Sequence, residues 1–258
     1  MLMVFIMNVT YEQFDNYFET KIGDSAGLVE CCQALRYQVY CEEKHYLNSS
    51  DYLLEKENDE FDRRSIHALL VHKKTGISVA TVRLIVNEAK CASAVLPTER
   101  YNILRRKGRD SIWQVSPLVK GEISRLAVSK NFRRRIEEQN NIHGISSSLS
   151  FAEKQKEKRH TSQITLGLFR ALMNMATESG VTHVYALMEP QLINLLSRSG
   201  IKFTPVGAMV DCYGLRQPCM ATVEELLNGI KKHDERIWTF ITHNGQKVIK
   251  TEGAQFAG

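Results

Sequence analysis

The sequence predicts a mixed α/β domain with a central sheet, and three observations predict it. Two runs rich in β-branched and aliphatic residues, Ser65–Val71 and Ile77–Val86, flank the turn signal Lys73-Lys-Thr-Gly76, which marks a hairpin. A long helical pattern ends at Gly180, with Ile164, Leu168, Leu172 and Met175 on one face. Beyond it, strand and helix signals alternate through Val181–Met188, Gln191–Arg198 and Ile201–Val206.

Taken in order, Leu28–Tyr46 reads as a helix, because Leu28, Cys31/Cys32, Leu35 and Val39 fall at helical spacing. The hairpin strands follow. Asn87–Gln114 is a longer connection with a helix expected around Thr98–Lys107. The stretch Gly121-Glu-Ile-Ser-Arg-Leu-Ala-Val128 then reads as a strand that ends in the cations Arg133-Arg-Arg135. Strict alternation puts Glu122, Ser124, Leu126 and Val128 on one side and Ile123, Arg125, Ala127 and Ser129 on the other. Glu122 and Arg125 therefore face one cavity only if the strand is bulged between them.

Residues 136–160 are polar and aperiodic, which predicts a mobile insertion within a single domain spanning 1–258. Thr161 or Ser162 is then expected to cap the long helix. Pro190 opens the next helix and Gly200 stops it. Thr222 and Glu225 form a capping-box pattern for a helix to Lys232. Asn244-Gly245 within Trp238–Ile249 reads as a hairpin turn, and 251–258 as a frayed tail.

Composition bounds the function. A net charge of +5, with 43% hydrophobic and 24% charged residues, fits a globular protein and mildly favours an acidic partner. The basic clusters lack interleaved aromatics, which argues against nucleic-acid binding. Six cysteines form no C-x-x-C pair and no His/Cys zinc spacing, so free thiols in a reducing cytoplasm and no metal are expected. No segment approaches ~20 consecutive apolar residues, so no membrane insertion is expected. The charge is uneven: Asp51–Asp62 holds six acids against one lysine.

Several motifs in fixed order carry a resemblance. Arg36, Tyr40 and Tyr46 show an Arg-x3-aromatic-x5-aromatic spacing. They are followed by Glu57-Asn-Asp59-Glu-Phe61-Asp62, by Arg83-Leu84 and by Glu122-Ile-Ser-Arg125. Together these resemble the GNAT acyltransferase superfamily, in the branch of acyl-homoserine-lactone synthases and N-acyl amino acid synthases. Thr182-His183, Met188-Glu189-Pro190, Gly200-Ile201, Pro205-Val206-Gly207 and Gly214-Leu-Arg-Gln-Pro-Cys219 resemble acyltransferases associated with exosortase/PEP-CTERM systems. Two features depart from the pattern. Tyr46 stands where homoserine-lactone synthases usually have tryptophan, and no Gly-rich pyrophosphate loop follows Val128.

The resemblance implies a mixed, mainly antiparallel central sheet flanked by helices. It also implies direct acyl transfer from a phosphopantetheine thioester, on acyl carrier protein or CoA, to the amine of a small acceptor such as an amino acid. A bulged strand in this superfamily frees a backbone N–H for the thioester oxygen, and the matching stretch here is Leu126 to Val128. Glu122 is the candidate general base; the competing reading makes it the buried salt-bridge partner of Arg125. Arg83 and Arg125 are candidate carboxylate clamps, since arginine binds carboxylates as a fork. Arg36, Tyr40, Tyr46, Asp59 and Asp62 are expected around the substrate pocket, and Trp113 along an acyl tunnel. Arg133, Arg134 and Arg135 are expected to dock acyl carrier protein. Three other readings stay open: an acetyl-CoA-dependent N-acetyltransferase, a homoserine-lactone synthase and a non-catalytic acyl-binding module.

Overall fold

The structure, a computed structural model, describes residues 11–87, 95–100, 120–130, 132 and 151–246. Its first described elements are helix α1 (Tyr11–Tyr17) and strand β1 (Phe18–Gly23), neither of which the hydrophobic pattern signals. Helix α2 (Ala26–Tyr37) runs directly into a π-helix, Gln38–Glu43. The segment expected as one helix to Tyr46 therefore changes hydrogen-bond register midway, an uncommon feature often found at functional sites.

The predicted hairpin is present as β2 (Ser65–His72) and β3 (Ile77–Asn87), and Gly76 adopts the left-handed conformation the turn requires. Strand β4 (Lys120–Val128) pairs antiparallel with β3 and parallel with β5 (His183–Met188). On the far side of β5 lies β8 (Leu215–Thr222), which carries the short β6 (Thr204–Pro205) and β7 (Val210–Asp211). The strand expected over Ile201–Val206 thus shrinks to two residues. The sheet order is β1-β2-β3-β4-β5-β8-β6, with β7 paired to β8. Every pairing but β4–β5 is antiparallel, so the expected mixed, mainly antiparallel sheet is the one observed.

Short helix α3 (Pro97–Arg100) precedes β4; the remainder of the helix expected over Thr98–Lys107 lies outside the described residues. Helix α4 spans Phe151–Glu178 and starts ten residues before the expected cap at Thr161 or Ser162. The last part of the expected insertion is therefore helix. Its Ala, Glu, Lys, Gln and Arg residues are strong helix formers, and propensity needs no hydrophobic period. Positions 133–150 lie outside the described residues.

Helix α4 covers one face of the sheet. Ile164, Leu168, Leu172 and Met175 are all buried there, with Leu70, Val82, Leu84, Val184 and Ala186 from the strands. Each fully buried Leu or Ile contributes roughly 1.5–3 kcal/mol of burial free energy. Helix α5 (Pro190–Ser197) starts with Pro190 at its N-terminus, as expected. Helix α6 (Val223–His233) has the predicted Thr222/Glu225 capping box, and its Leu226 and Ile230 join the same core.

The hairpin expected over Trp238–Ile249 is instead helix α7 (Glu235–Thr242), capped by Asp234. Ile237, Phe240 and Ile241 bury together, which is helical spacing. His243, Asn244 and Gly245 all have positive φ, so Asn-Gly here ends a helix and does not turn a hairpin.

One glycine contact fixes how α5 meets α6. Gly200 has φ +77°, and a Cβ there would lie 2.6 Å from His233 Cβ and 2.7 Å from the Gly229 carbonyl oxygen. Gly200→Ala is expected to lower stability by about 2–4 kcal/mol through left-handed strain and overpacking. The drop should appear as a lower urea midpoint at unchanged m-value.

The opposite face of the sheet carries α2 and a 3-10 helix, Glu60–Arg64. The ionic and acid–base side chains discussed below lie on that side, whereas the Leu126 and Val128 side chains pack toward the α4 core.

Candidate active site

The site starts from a register shift. Ala80 and Thr81 pair with Val128 and Ala127, whereas Arg83 pairs with Ser124. Two residues of β4, Arg125 and Leu126, therefore stand opposite Val82 alone, and this is a β-bulge. Arg125 takes φ +54°, a left-handed conformation that costs a non-glycine residue about 1–2 kcal/mol. The bulge breaks the alternation expected from sequence. Ala127 joins the face of Glu122 and Ser124, and Arg125 reaches Asp59, one of the two carboxylates that hold Arg83.

The bulge also lies where the sheet opens. β4 and β5 pair from Lys120↔His183 only to Ile123↔Ala186. Beyond that, β5 continues to Met188 against β8, and β4 continues to Val128 against β3. The β5-facing edge of Ser124–Val128 has left its strand partner, so backbone groups of the bulge are not committed to a ladder on that side.

Beside the bulge lies a balanced ionic cluster of three arginines and three carboxylates. Arg36 is fully buried and binds Asp62 through two nitrogens at 2.9 and 2.8 Å, with its Nε 2.5 Å from Glu57 Oε2. Arg83 donates to Asp59 at 2.5 and 2.9 Å, to Asp62 at 2.6 Å and to Ser124 Oγ at 3.0 Å. Arg125 donates from Nε to both Glu57 oxygens at 3.0 and 3.2 Å and from Nη2 to Asp59 at 2.9 Å. Of the three arginine side chains, Arg125 is the one solvent reaches, at 28% exposure.

Local sequence explains the acidic side of this cluster. Asp59 caps the 3-10 helix and Asp62 completes its capping box, so both carboxylates are held by backbone N–H groups before they meet arginine. Burial pushes the Asp62 carboxyl up, but the Arg36 hydrogen bonds and the charges of Arg36 and Arg83 reverse this. They hold it well below the usual carboxylate range. Asp59 is depressed in the same way by Arg83 and Arg125 against its own burial. Burial drives the neutral His67 imidazole down to about 4, helped by Arg36.

Glu122 stands apart from this cluster. Its register neighbours are Ile85 and Tyr185, both buried in an apolar group with Phe61 and Leu96. It is 2% exposed and accepts a hydrogen bond from the Thr98 backbone N–H at 2.8 Å. Burial raises its pKa to about 7, against the lowering effects of Thr98 and Arg83. The competing sequence reading, a Glu122–Arg125 salt bridge, is thus replaced: Arg125 pairs with Glu57 and Asp59. The ion pairs of Arg83 are likewise with Asp59 and Asp62 at the 3-10 helix, and its cross-strand contact is the neutral hydrogen bond to Ser124.

Tyr40 sits on the π-helix, and its hydroxyl donates to the Leu126 carbonyl at 3.1 Å. Burial pushes that phenol up to about 12, so it is a donor at neutral pH. Its ring stacks with Tyr46, which stacks in turn with the half-exposed Tyr213. Tyr40→Phe removes the bond to the bulge. We expect a stability loss of about 1 kcal/mol in denaturant titration, at unchanged far-ultraviolet circular dichroism.

The structure therefore brings together Arg36, Tyr40, Tyr46, Asp59, Asp62, Arg83, Glu122, Arg125, Leu126 and Val128. Trp113 and Arg133–Arg135 lie outside the described residues. Glu57 was legible only as the first letter of a motif, yet it joins Arg36 to Arg125. Tyr185 carried no signal at all, because the strand pairing that sets it beside Glu122 is not local. Among the described residues, no group of three or more His, Cys, Asp or Glu side chains could hold a metal ion.

Part of the sequence matches a known domain model. Residues 35–140 match the acetyltransferase (GNAT) domain model. The matched span holds the ionic cluster, the bulge and Glu122. Solved structures share this fold at low identity. The AHL synthase LasI is 17% identical with a TM-score of 0.55, over 84% of this chain and 95% of that one. BjaI, a CoA-dependent acyl-homoserine lactone synthase solved with SAM and isopentyl-CoA, is 16% identical with a TM-score of 0.53, over 86% and 89%. FeeM, an N-acyl amino acid synthase from uncultured soil microbes, is 13% identical with a TM-score of 0.51, over 82% and 93%. No curated protein matches the chain in sequence.

Proposed function

We propose that this domain moves a fatty acyl group from acyl carrier protein to the amine of a small acceptor such as an amino acid. The observation that carries the reading is Glu122, a buried carboxylate with a pKa near 7 on the same sheet face as the bulge where β4 leaves β5. A base poised near neutral pH suits removal of a proton from an ammonium, directly or through water. The freed amine attacks the thioester carbon. The oxyanion of the tetrahedral intermediate is met by a backbone N–H of the Leu126–Val128 stretch, and the thiolate leaves. One such donor is worth about 2.7–4 kcal/mol in the transition state.

Arg125, the solvent-reached arginine, is proposed to orient the acceptor. Arg36, Arg83, Asp59 and Asp62 support it as scaffold, and Tyr40 and Tyr46 line the approach. Trp113 along the acyl tunnel and Arg133–Arg135 as the carrier-docking turn rest on sequence. Three consecutive arginines suit a phosphodiester and an acidic carrier. Membership of the exosortase/PEP-CTERM-associated branch rests on the motifs from Thr182 to Cys219. A cytoplasmic location is proposed with it; no helix among the described residues is long and apolar enough to cross a membrane.

The experiment is direct. Purified protein is incubated with acyl carrier protein or CoA bearing acyl chains of varied length, against a panel of amines, and products are read by mass spectrometry. A long-chain amide formed faster from the carrier protein supports the proposal. Absence of any amide sinks it, and acetyl-CoA turnover with no response to carrier protein reassigns the donor. S-adenosylmethionine dependence with lactone release would reassign the acceptor.

A further inference from the structure

The π-helix grips the end of β4 at three points. Tyr40 Oη holds the Leu126 carbonyl. Gln38 Nε2 donates to Ser129 Oγ at 3.0 Å and to Glu43 Oε1 at 2.8 Å. Glu43 Oε2 accepts the Lys130 backbone N–H at 2.9 Å, while the Glu43 carbonyl accepts from Lys130 Nζ at 3.3 Å. Ser129 Oγ lies 3.4 Å from Glu43 Oε1 and accepts the Phe132 N–H at 3.2 Å. A six-residue π-helix spaces side chains 38, 40 and 43 onto positions 126, 129 and 130 of one strand end.

We propose that Glu43 is a donor-specificity residue that selects against thioesters carrying a diphosphate. The inference rests on the proposed thioester donor. A donor with its carbonyl at the bulge runs along the open edge of β4 toward Lys130. Four residues at about 3.3 Å each place that turn about 13 Å from Leu126. An anionic group arriving there needs the backbone N–H that the Glu43 carboxylate already holds. It must either displace that carboxylate or lie beside it. A single phosphodiester brings one negative charge to this carboxylate. A diphosphate, longer and more highly charged, meets the carboxylate and is repelled by it.

The test uses the full chain and its Glu43→Gln variant, which keeps the length and a hydrogen-bond acceptor but removes the charge. The same acyl chain is offered on CoA and on acyl carrier protein, whose arm carries a single phosphodiester, and kcat/KM is measured for each. The variant is expected to raise the ratio of CoA to carrier-protein kcat/KM about tenfold, equivalent to ~1.4 kcal/mol. An unchanged ratio overturns the proposal, whether both donors gain and lose together or neither moves; Glu43 is then a structural clamp only. Calorimetry with free CoA separates this inference from the proposed function. If no amide forms in either protein but the variant gains CoA affinity, the specificity role stands and the acyl-transfer reading falls. If the variant gains none, the specificity role falls. Thermal melting of both proteins, expected within a few degrees of each other, excludes unfolding as the cause.

Discussion

Glu122→Gln is expected to lower kcat about 10²–10⁴-fold, the range for removing a positioned general base. The wild-type rate should rise with pH through about 7, where Glu122 ionises, and the variant should lose that limb. Stability should move the opposite way. The folded pKa of Glu122 lies above its ordinary value of 4.5 because burial disfavours the charged form. Between those values the native state keeps a proton that the unfolded chain has released, so stability falls as pH rises from about 4.5 to 7. At most about 3 kcal/mol is lost in that window. Glutamine carries no charge to bury. The variant should therefore melt higher than wild type at pH 8 and near it at pH 4.5. A variant that is inactive but no more stable at pH 8 would show that Glu122 ionises at an ordinary pKa. A variant with full activity would remove Glu122 from the chemistry.

This opposition explains what was legible in the sequence. Glu122 and Arg125 were visible as a carboxylate and an arginine three apart on a strand, and the conflict with period two already called for a bulge. The outcome of that conflict was not legible. Whether Arg125 turns to Glu122 or to Glu57 and Asp59 depends on where the 3-10 helix Glu60–Arg64 sits on the sheet, which no local pattern encodes. The ionic cluster was legible as charged letters only. Without the motif, Asp59 and Asp62 are two acids in an acidic loop; the capping box that aims them inward becomes visible once Glu60–Arg64 is known to be helical.

The fold shows the same division. β2 and β3 were located by their aliphatic runs about the turn, α4 by its period and α6 by its capping box; the runs of β2 and β3 are continuous because both faces of those strands are buried. Asn244-Gly245 misled because left-handed residues serve both hairpins and helix ends. The tie-breaker was the buried Ile237, Phe240 and Ile241, whose spacing is helical. The first ten residues of α4 were missed for the opposite reason: a charged, Ala/Glu/Lys-rich segment has propensity without period.

Asp62→Ala is expected to cost about 3–5 kcal/mol, the range for stranding a buried charge. Asp62 neutralises Arg36, whose side chain is fully buried, and Arg83, which is 1% exposed. It also accepts from Gln33 and from the Asp59 backbone N–H. Removal leaves three guanidiniums, Arg36, Arg83 and Arg125, sharing Glu57 and Asp59. It also frees the 3-10 helix that holds Asp59 against Arg125, so the Arg125 side chain should lose its fixed position. Activity should then fall even at temperatures where the variant is folded. Asp62→Asn keeps the cap acceptor and the side-chain shape, and should lose less stability. The pH dependence separates the groups involved. Asp62 and Asp59 have depressed folded pKa values, so their contribution is present above their ordinary value of 3.8 and is lost as pH falls through the folded values. His67, 3.8 Å from Asp62, is also depressed, from 6.5 to about 4. Its neutral form is the one the fold accepts, so the His67 contribution falls as pH drops below 6.5, against the gain from Glu122 over the same range, and the two aspartates lower stability further below about 4. Asp62→Ala should keep the His67 decline and blunt the second. Chemical denaturation from pH 7 to pH 3 measures both slopes. A variant with unchanged stability at pH 7 would mean that the cluster offsets its own desolvation and no more, and that Glu57 and Asp59 position Arg125 without help from Asp62.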